Sequence, residues 1–195
     1  MENERKLQME DKNEASWIQN DEHDWLMNLV GHFQGDVVEL GTFRGGTTFG
    51  LRQHMSDNWV LWSIDNYTNP EFVEKFEDYN PLVIRNKFFK DCNDVFLVVG
   101  DSLSIGFNWS NPIGILFMDA CHNYKPTLDN FNVWSKYVIF GGMVIMHDNH
   151  PDHLGVVQAL NVIEKMGAWE VVSRCNTMVM LKRVCDNYFI GVDRI

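Results

Sequence analysis

Positive charge is scarce in this chain: 16 Lys plus Arg stand against 27 Asp plus Glu, a formal net charge of −11 at pH 7 over 195 residues. Affinity for a nucleic-acid duplex comes largely from cationic contacts that release counterions, and no basic cluster compensates here, so the expectation is no duplex partner. Long apolar runs are also missing. The longest nearly apolar stretch, Tyr137 to Met146, is about half of what a membrane helix needs and contains a Gly-Gly pair, so no membrane partner is expected. Met1 to Ser16 is polar throughout, with no apolar stretch to serve as a signal-peptide core, and a cytoplasmic protein is expected. The cysteines Cys92, Cys121, Cys175 and Cys185 are scattered without a CxxC pair. That argues against a zinc-thiolate centre and against a disulfide framework, leaving reduced thiols. No repeat, low-complexity tract or Pro/Gly/Ser linker divides the chain. With 45% hydrophobic residues it is neither disordered nor long enough for two comfortable domains.

What is present is alternation. Short apolar, β-branched runs occur at Asp36–Leu40, Trp59–Ile64, Val95–Val99, Ile113–Met118 and Met143–Met146, then at Trp169–Ser173 and Thr177–Leu181. Continuous apolar runs of this length suit strands covered on both faces. Between them, Leu128, Phe131, Trp134 and Val138 recur at helical spacing within Pro126–Val138, as do Leu154, Val157, Leu160 and Ile163 within His153–Met166. Trp17, Ile18, Trp25, Leu26, Leu29 and Val30 predict a further helix before the first strand. The fold class expected is α/β: a Rossmann-like, doubly wound seven-stranded sheet, mostly parallel, closed by an antiparallel C-terminal hairpin. The domain limits expected are a polar N-terminal extension over 1–22, the α/β domain over 23–185 and a tail over 186–195.

In such sheets ligands bind beyond the C-terminal strand ends, and polar residues collect there. The first strand runs into Glu39-Leu40-Gly41-Thr42-Phe43-Arg44-Gly45-Gly46-Thr47, the second ends in Asp65-Asn66 and the third in Gly100-Asp101-Ser102. The fourth ends in Asp119, followed by His122 and Tyr124, and the fifth in His147-Asp148-Asn149-His150. Asp, Asn and Gly are common in any strand-to-helix turn, so one of these would mean little. Five in register carry more weight. The glycine loop lets backbone approach a ligand before a helix N-terminus. It has neither the GxGxxG of dinucleotide binding nor the Lys of a P-loop. Asp65 suits the two hydroxyls of a ribose, and Asp101 with Ser102 an adenine edge.

VVELGTFRGGTT, WSID, VVGDS, ILFMDACHNY and GGMVIMHDN, in this order, resemble the class I S-adenosylmethionine-dependent methyltransferases. More narrowly they resemble the small O-methyltransferase-like group whose fourth motif reads Asp-x-x-His-x-Tyr. The resemblance covers Asp36 to Arg183. It implies S-adenosyl-L-methionine as cofactor, with its methionine part at Glu39, Gly41, Thr42, Gly45, Gly46 and Thr47. It further implies the ribose at Asp65 with Asn66 beside it, the adenine near Asp101 and Ser102, and the methyl end near Asp119. Arg44 is expected to pair with Glu39 or another acid.

Methyl transfer to a hydroxyl requires alignment of donor and acceptor and removal of a proton. Asp119, Asp148 and Asn149 are oxygen donors at adjacent strand ends, which suits a hard cation such as Mg2+. The catechol-type relatives imply Asp119, Asp148 and Asn149 as metal ligands, whereas the macrocin-type pattern brings in His147 instead. Both imply a general base at His122, a side chain suited to proton transfer near neutrality. Plainer readings remain beside these. Asp119 alone positions the methyl end without a metal, or His122 is a loop histidine bonded to backbone. A transition metal held by imidazoles among His147, Asp148, His150, Asp152 and His153 is a third, although Pro151 interrupts that run.

The overall expectation is metal-assisted O-methylation of a small-molecule acceptor. A metal-independent methyltransferase and a non-catalytic cofactor-binding protein are the alternatives. A nucleic-acid amino-methyltransferase is disfavoured because Met118-Asp119-Ala120-Cys121 lacks prolines, and a dinucleotide oxidoreductase because GxGxxG is absent. In small methyltransferases an N-terminal segment like this one often serves as a substrate lid or a homodimer contact. Tyr67 to Cys92, longer than a simple crossover, is expected to supply acceptor contacts, and Trp109, Trp134 and Trp169 to lie in the core.

Overall fold

The apolar runs become strands because both sides of the sheet are covered. In the computed structural model, which describes residues 15–185, the strands are β1 (Val37–Leu40), β2 (Leu61–Asp65), β3 (Val95–Val99), β4 (Ile113–Met118), β5 (Val138–Met146), β6 (Trp169–Cys175) and β7 (Met178–Arg183). The expected tail 186–195 and the first fourteen residues of the expected extension lie outside the described residues. The helices are α1 (Asn20–His32), α2 (Gly46–His54), α3 (Pro70–Lys75), α4 (Pro81–Phe88), α5 (Ser102–Phe107), α6 (Tyr124–Trp134) and α7 (Leu154–Glu164).

The sheet order is β3-β2-β1-β4-β5-β7-β6. The first five strands are parallel, while β7 pairs antiparallel with both β5 and β6. Strand order reverses between β1 and β4, which opens the crevice at their C-terminal ends. Each strand divides its side chains between two layers. Val38, Leu116, Met118, Val144 and Met146 face Phe131 and Trp134 of α6 and Ile163 of α7. Val37, Ile115, Phe117 and Ile145 face Leu26 and Val30 of α1 and Leu51 of α2.

The largest boundary differences from the expected ones lie around β5. The helix expected to run to Val138 ends at Trp134, and a 3-10 turn, Ser135–Tyr137, leads directly into β5. That strand starts at Val138 rather than Met143, because its first half bulges at Gly141 and Gly142 and exposes Ile139 and Phe140. Trp17 and Ile18 precede α1. Trp17 is 62% exposed and packs on Phe43 and Phe72. Trp134 and Trp169 are buried, and Trp109 packs against the same core. No helix among the described residues is long and apolar enough to cross a membrane.

Candidate active site

Parallel pairing places the strand-end loops in register. The Asp119 amide donates to Leu40 O at 2.8 Å and the His147 amide to Met118 O at 3.1 Å, so the ladder continues one residue past each strand. Gly41, with φ 100°, lets the β1 loop pass against the β4 loop, since a Cβ there would lie 2.4 Å from Asp119 O. Beyond these ends lies a cleft of about 670 Å³, lined by residues of four loops: Gly41 and Phe43, Asp65 and Asn66, Asp101 and Ser102, and Asp119 to Cys121. Thr68, Asn69, Pro70, Phe72 and Tyr79 of the long β2–β3 connection form a further wall. That volume is the size of a small-molecule or cofactor site.

Gly41, Asp65, Asn66, Asp101, Ser102 and Asp119 of the predicted cofactor residues therefore meet in one cleft. Glu39, Thr42, Gly45, Gly46 and Thr47 do not line it. Glu39 is fully buried beneath the loop, where its Oε2 accepts from Thr48 and Ser63 at 2.5 Å each. Burial pushes this carboxyl up to about 8, against those two hydrogen bonds, and it is neutral at pH 7. Thr42 Oγ1 is bonded to Ser63 Oγ at 2.6 Å. Gly45 and Gly46 form the start of α2, and the chain's own N-terminal segment covers that helix end. Gly46 N donates to Ala15 O, and Ser16 Oγ meets Thr47 Oγ1 at 2.9 Å.

Asp65 enters the cleft with its oxygens already engaged. Oδ2 accepts from the backbone amides of Thr42 and Phe43, and Oδ1 from Tyr67 N and the Tyr79 hydroxyl. Asp101 caps α5 through Ser104. Arg44 pairs with Asp78, not Glu39, through Nε at 2.5 Å and Nη2 at 2.8 Å, and lies over the Phe76 ring. Asn130 was not singled out by sequence. Its Oδ1 is buried in the cleft wall without a hydrogen-bond partner, while Nδ2 donates to Pro126 O.

Asp119 links this cleft to a chain of titratable groups. His147 Nδ1 lies 2.8 Å from Asp119 Oδ1 and 3.3 Å from Asp148 Oδ2, and its Nε2 lies 3.3 Å from Glu22 Oε2. Burial disfavours charge on His147, yet Asp119 and Asp148 more than offset it, pushing the imidazole up to about 11. Both ring nitrogens thus face carboxylate oxygens. Burial raises Asp119 above its ordinary range, and the His147 cation opposes that rise. Glu22 is wholly buried on α1 and also accepts from Thr177 N and Oγ1 at 2.8 and 2.7 Å.

His122 meets the same Asp148 oxygen, its Nε2 2.8 Å from Oδ2. That contact raises His122 above its ordinary 6.5. Against the push of burial, His122 and His147 hold Asp148 well below the usual carboxylate range. The structure thus brings Asp119, His147, Asp148 and His122 together. Asn149 is turned aside, its Oδ1 facing Arg174 Nη1 at 3.4 Å. Asp119, His147 and Asp148 offer one ligating atom each within 4.8 Å of one another, a set of two carboxylates and one imidazole.

A seven-stranded sheet in this order, with a cleft at the β1–β4 switch point and acids closing the strands, defines the class I S-adenosylmethionine-dependent methyltransferase type. The model of the Methyltransferase domain family matches residues 38–149, more than half of the chain, and the chain belongs to that family. Protein R132 of Acanthamoeba polyphaga mimivirus is 28% identical over 153 residues, covering 73% of this chain and 65% of that protein. The chain thus spans less than two thirds of that relative's length. Among solved structures, the O-methyltransferase from Bacillus cereus in complex with SAH superposes with a TM-score of 0.68 at 14% identity, covering 91% of this chain and 90% of that one. SAH-bound methyltransferase PaMTH1 from Podospora anserina gives 0.69 at 8% identity, covering 90% and 86%. At these identities the likeness is one of fold.

Proposed function

We propose that this chain transfers a methyl group from S-adenosylmethionine to the hydroxyl of a small-molecule acceptor, with His122 as general base. The observation that carries this reading is the Asp148–His122 pair, 2.8 Å apart, with His122 directly following the cleft-lining segment Asp119 to Cys121. With Nε2–H directed at Asp148, the neutral ring carries its lone pair on Nδ1, the atom that accepts the hydroxyl proton. Asp148 then stabilises the imidazolium, as an orienting acid does in other His-based dyads. The cofactor's sulfonium would lie near Asp119 and its adenosine along Asp65, Asp101 and Ser102. Its ribose hydroxyls would replace the Tyr79 hydroxyl on Asp65, and the unpartnered Asn130 Oδ1 offers an acceptor for an amine of the bound ligands. Ala15, Ser16 and Trp17 lie against Gly46, Thr47 and Phe43, which supports a lid role for this segment.

The donor set accommodates a divalent cation in part. Asp119 and Asp148 would hold it, with His147 rather than Asn149 as the nearest third donor, because Arg174 engages the Asn149 oxygen. Such a cation, Mg2+ by the oxygen content of the pair, acidifies the acceptor hydroxyl when bound. A metal-independent reaction is favoured by one observation: His147 Nδ1 already sits against both carboxylates, 2.8 Å from Asp119 Oδ1 and 3.3 Å from Asp148 Oδ2.

His122→Ala is expected to lower turnover by about 10²–10⁴-fold with S-adenosylmethionine affinity nearly intact. An unchanged turnover removes His122 from catalysis. Chelation followed by Mg2+ return separates the two versions, since only the metal-assisted one loses and regains turnover. Calorimetry showing no S-adenosylmethionine binding would overturn the whole reading.

A further inference from the structure

A second cluster of ligating atoms meets on the solvent side of Asp148. His122 Nε2 lies 2.8 Å from Asp148 Oδ2, and His153 Nε2 lies 3.9 Å from Asp148 Oδ1. The two imidazole rings are 4.2 Å apart, centroid to centroid, at 51°. One atom from each of the three residues falls within 4.8 Å of the others. Ligand atoms 2.0–2.2 Å from a tetrahedral zinc stand roughly 3.3–3.6 Å apart, and the two imidazole nitrogens approach the Asp148 carboxylate to either side of that spacing, one at each oxygen.

Backbone packing builds this cluster. Asp148 has φ 58°, which bends the chain just past β5, and His153 closes the 3-10 turn Pro151–His153 at the start of α7. The first turn of α7 then presses on the loop that carries His122. A Cβ at Gly155 would lie 2.2 Å from His122 O and 2.4 Å from Tyr124 N, so this approach requires a glycine. The two rings meet because their backbones are held in contact, not because long side chains happen to reach one another. The side chains are 46%, 20% and 36% exposed for His122, Asp148 and His153, which leaves an entry path and open coordination positions.

The donor chemistry differs from that of the Asp119–Asp148 pair. Two imidazole nitrogens and one carboxylate suit zinc and its neighbours in the transition series, whereas Mg2+ takes oxygen ligands. We propose that His122, Asp148 and His153 form a binding site for a divalent transition metal of the zinc class, and that its occupancy withdraws His122 from proton transfer. The binding half stands on geometry alone. The inhibitory half rests on the reading of His122 as base.

The test is titration of the full chain with zinc chloride by calorimetry, with cobalt as a spectroscopic probe of nitrogen ligation. One zinc per chain is expected. His153→Ala and His153→Gln should each weaken zinc binding at least about tenfold, with zinc-free turnover and S-adenosylmethionine affinity unchanged. Zinc should suppress turnover of the wild type and spare both variants. Equal zinc affinity in wild type and variants overturns the site. Zinc binding that depends on His153 but leaves turnover unchanged keeps the site, overturns the inhibition and removes His122 from the role of base.

Discussion

Glu39 carries a proton that most surface acids would have released, and this has a consequence for stability. The folded group titrates at about 8 and its unfolded counterpart near 4.5. Between those values the native state holds a proton that the unfolded chain has lost. The stability Glu39 contributes is therefore complete below 4.5 and declines as pH rises through 8. Glu39→Gln keeps an oxygen to accept from Ser63 and Thr48 and cannot ionise. We expect its urea midpoint to match the wild type at the acid end of that window and to exceed it at the alkaline end, by roughly 2–4 kcal/mol in unfolding free energy. Parallel pH dependence in the two proteins would show that Glu39 is not the titrating group. The family resemblance implies Glu39 at a cofactor's methionine end; in the fold its side chain is aimed into the protein, at Ser63 on β2 and Thr48 on α2.

At the scale of elements, α1 is tied to the far edge of the sheet by one carboxylate. Glu22 accepts from Thr177 N and Oγ1 in the β6–β7 turn and contacts His147 at the end of β5. Glu22→Ala leaves two donors of Thr177 and one nitrogen of the buried His147 ring unpartnered. The expected loss is about 3 kcal/mol or more, a fall in Tm of roughly 6–12 °C for a chain of this size. Glu22→Gln should recover part of it by restoring an acceptor for Thr177. A loss below about 1 kcal/mol in the Ala variant would mean that water replaces the carboxylate. The strands were legible because apolar runs covered on both faces leave a direct trace in sequence. The start of β5 was not, since the Gly141-Gly142 pair interrupts the apolar run and the bulge there exposes Ile139 and Phe140. Of the site, Asp119, His122 and Asp148 were legible as strand-end polar residues. Glu22 was not, because its partners lie 125 and 155 residues away. One signal existed: Glu22 is on the stripe of Leu26 and Val30, four residues apart, so an acid was already placed on the buried face of α1. Asn130 shares that character, a polar residue beside Phe131 on the buried face of α6.

For the whole molecule, the sheet's strands belong to two layers at once. On β1, Val38 and Leu40 face α6 and α7, while Val37 faces α1 and α2. On β4, Leu116 and Met118 face the first layer and Ile115 and Phe117 the second, and β5 divides Val144 and Met146 from Ile145 in the same way. A strand that leaves the sheet thus uncovers apolar surface on both sides together, and neither layer retains a core of its own once β1, β4 or β5 is lost. Glu22, which joins α1 on one side to the β5 end and the β6–β7 turn, adds a polar tie across the same centre. The two layers should therefore unfold as one unit. Tryptophans report on both, Trp134 and Trp169 in the first layer and Trp25 and Trp59 in the second. We expect urea curves from tryptophan fluorescence, near-UV and far-UV circular dichroism to coincide, and calorimetric and van't Hoff enthalpies to agree. A variant carrying Trp25→Phe and Trp59→Phe, whose fluorescence comes mainly from the first layer, should show a fluorescence midpoint equal to its own far-UV midpoint. Separated midpoints in that variant would show that the layer built on α6 and α7 survives the loss of the other, and that the sheet divides the molecule instead of joining it.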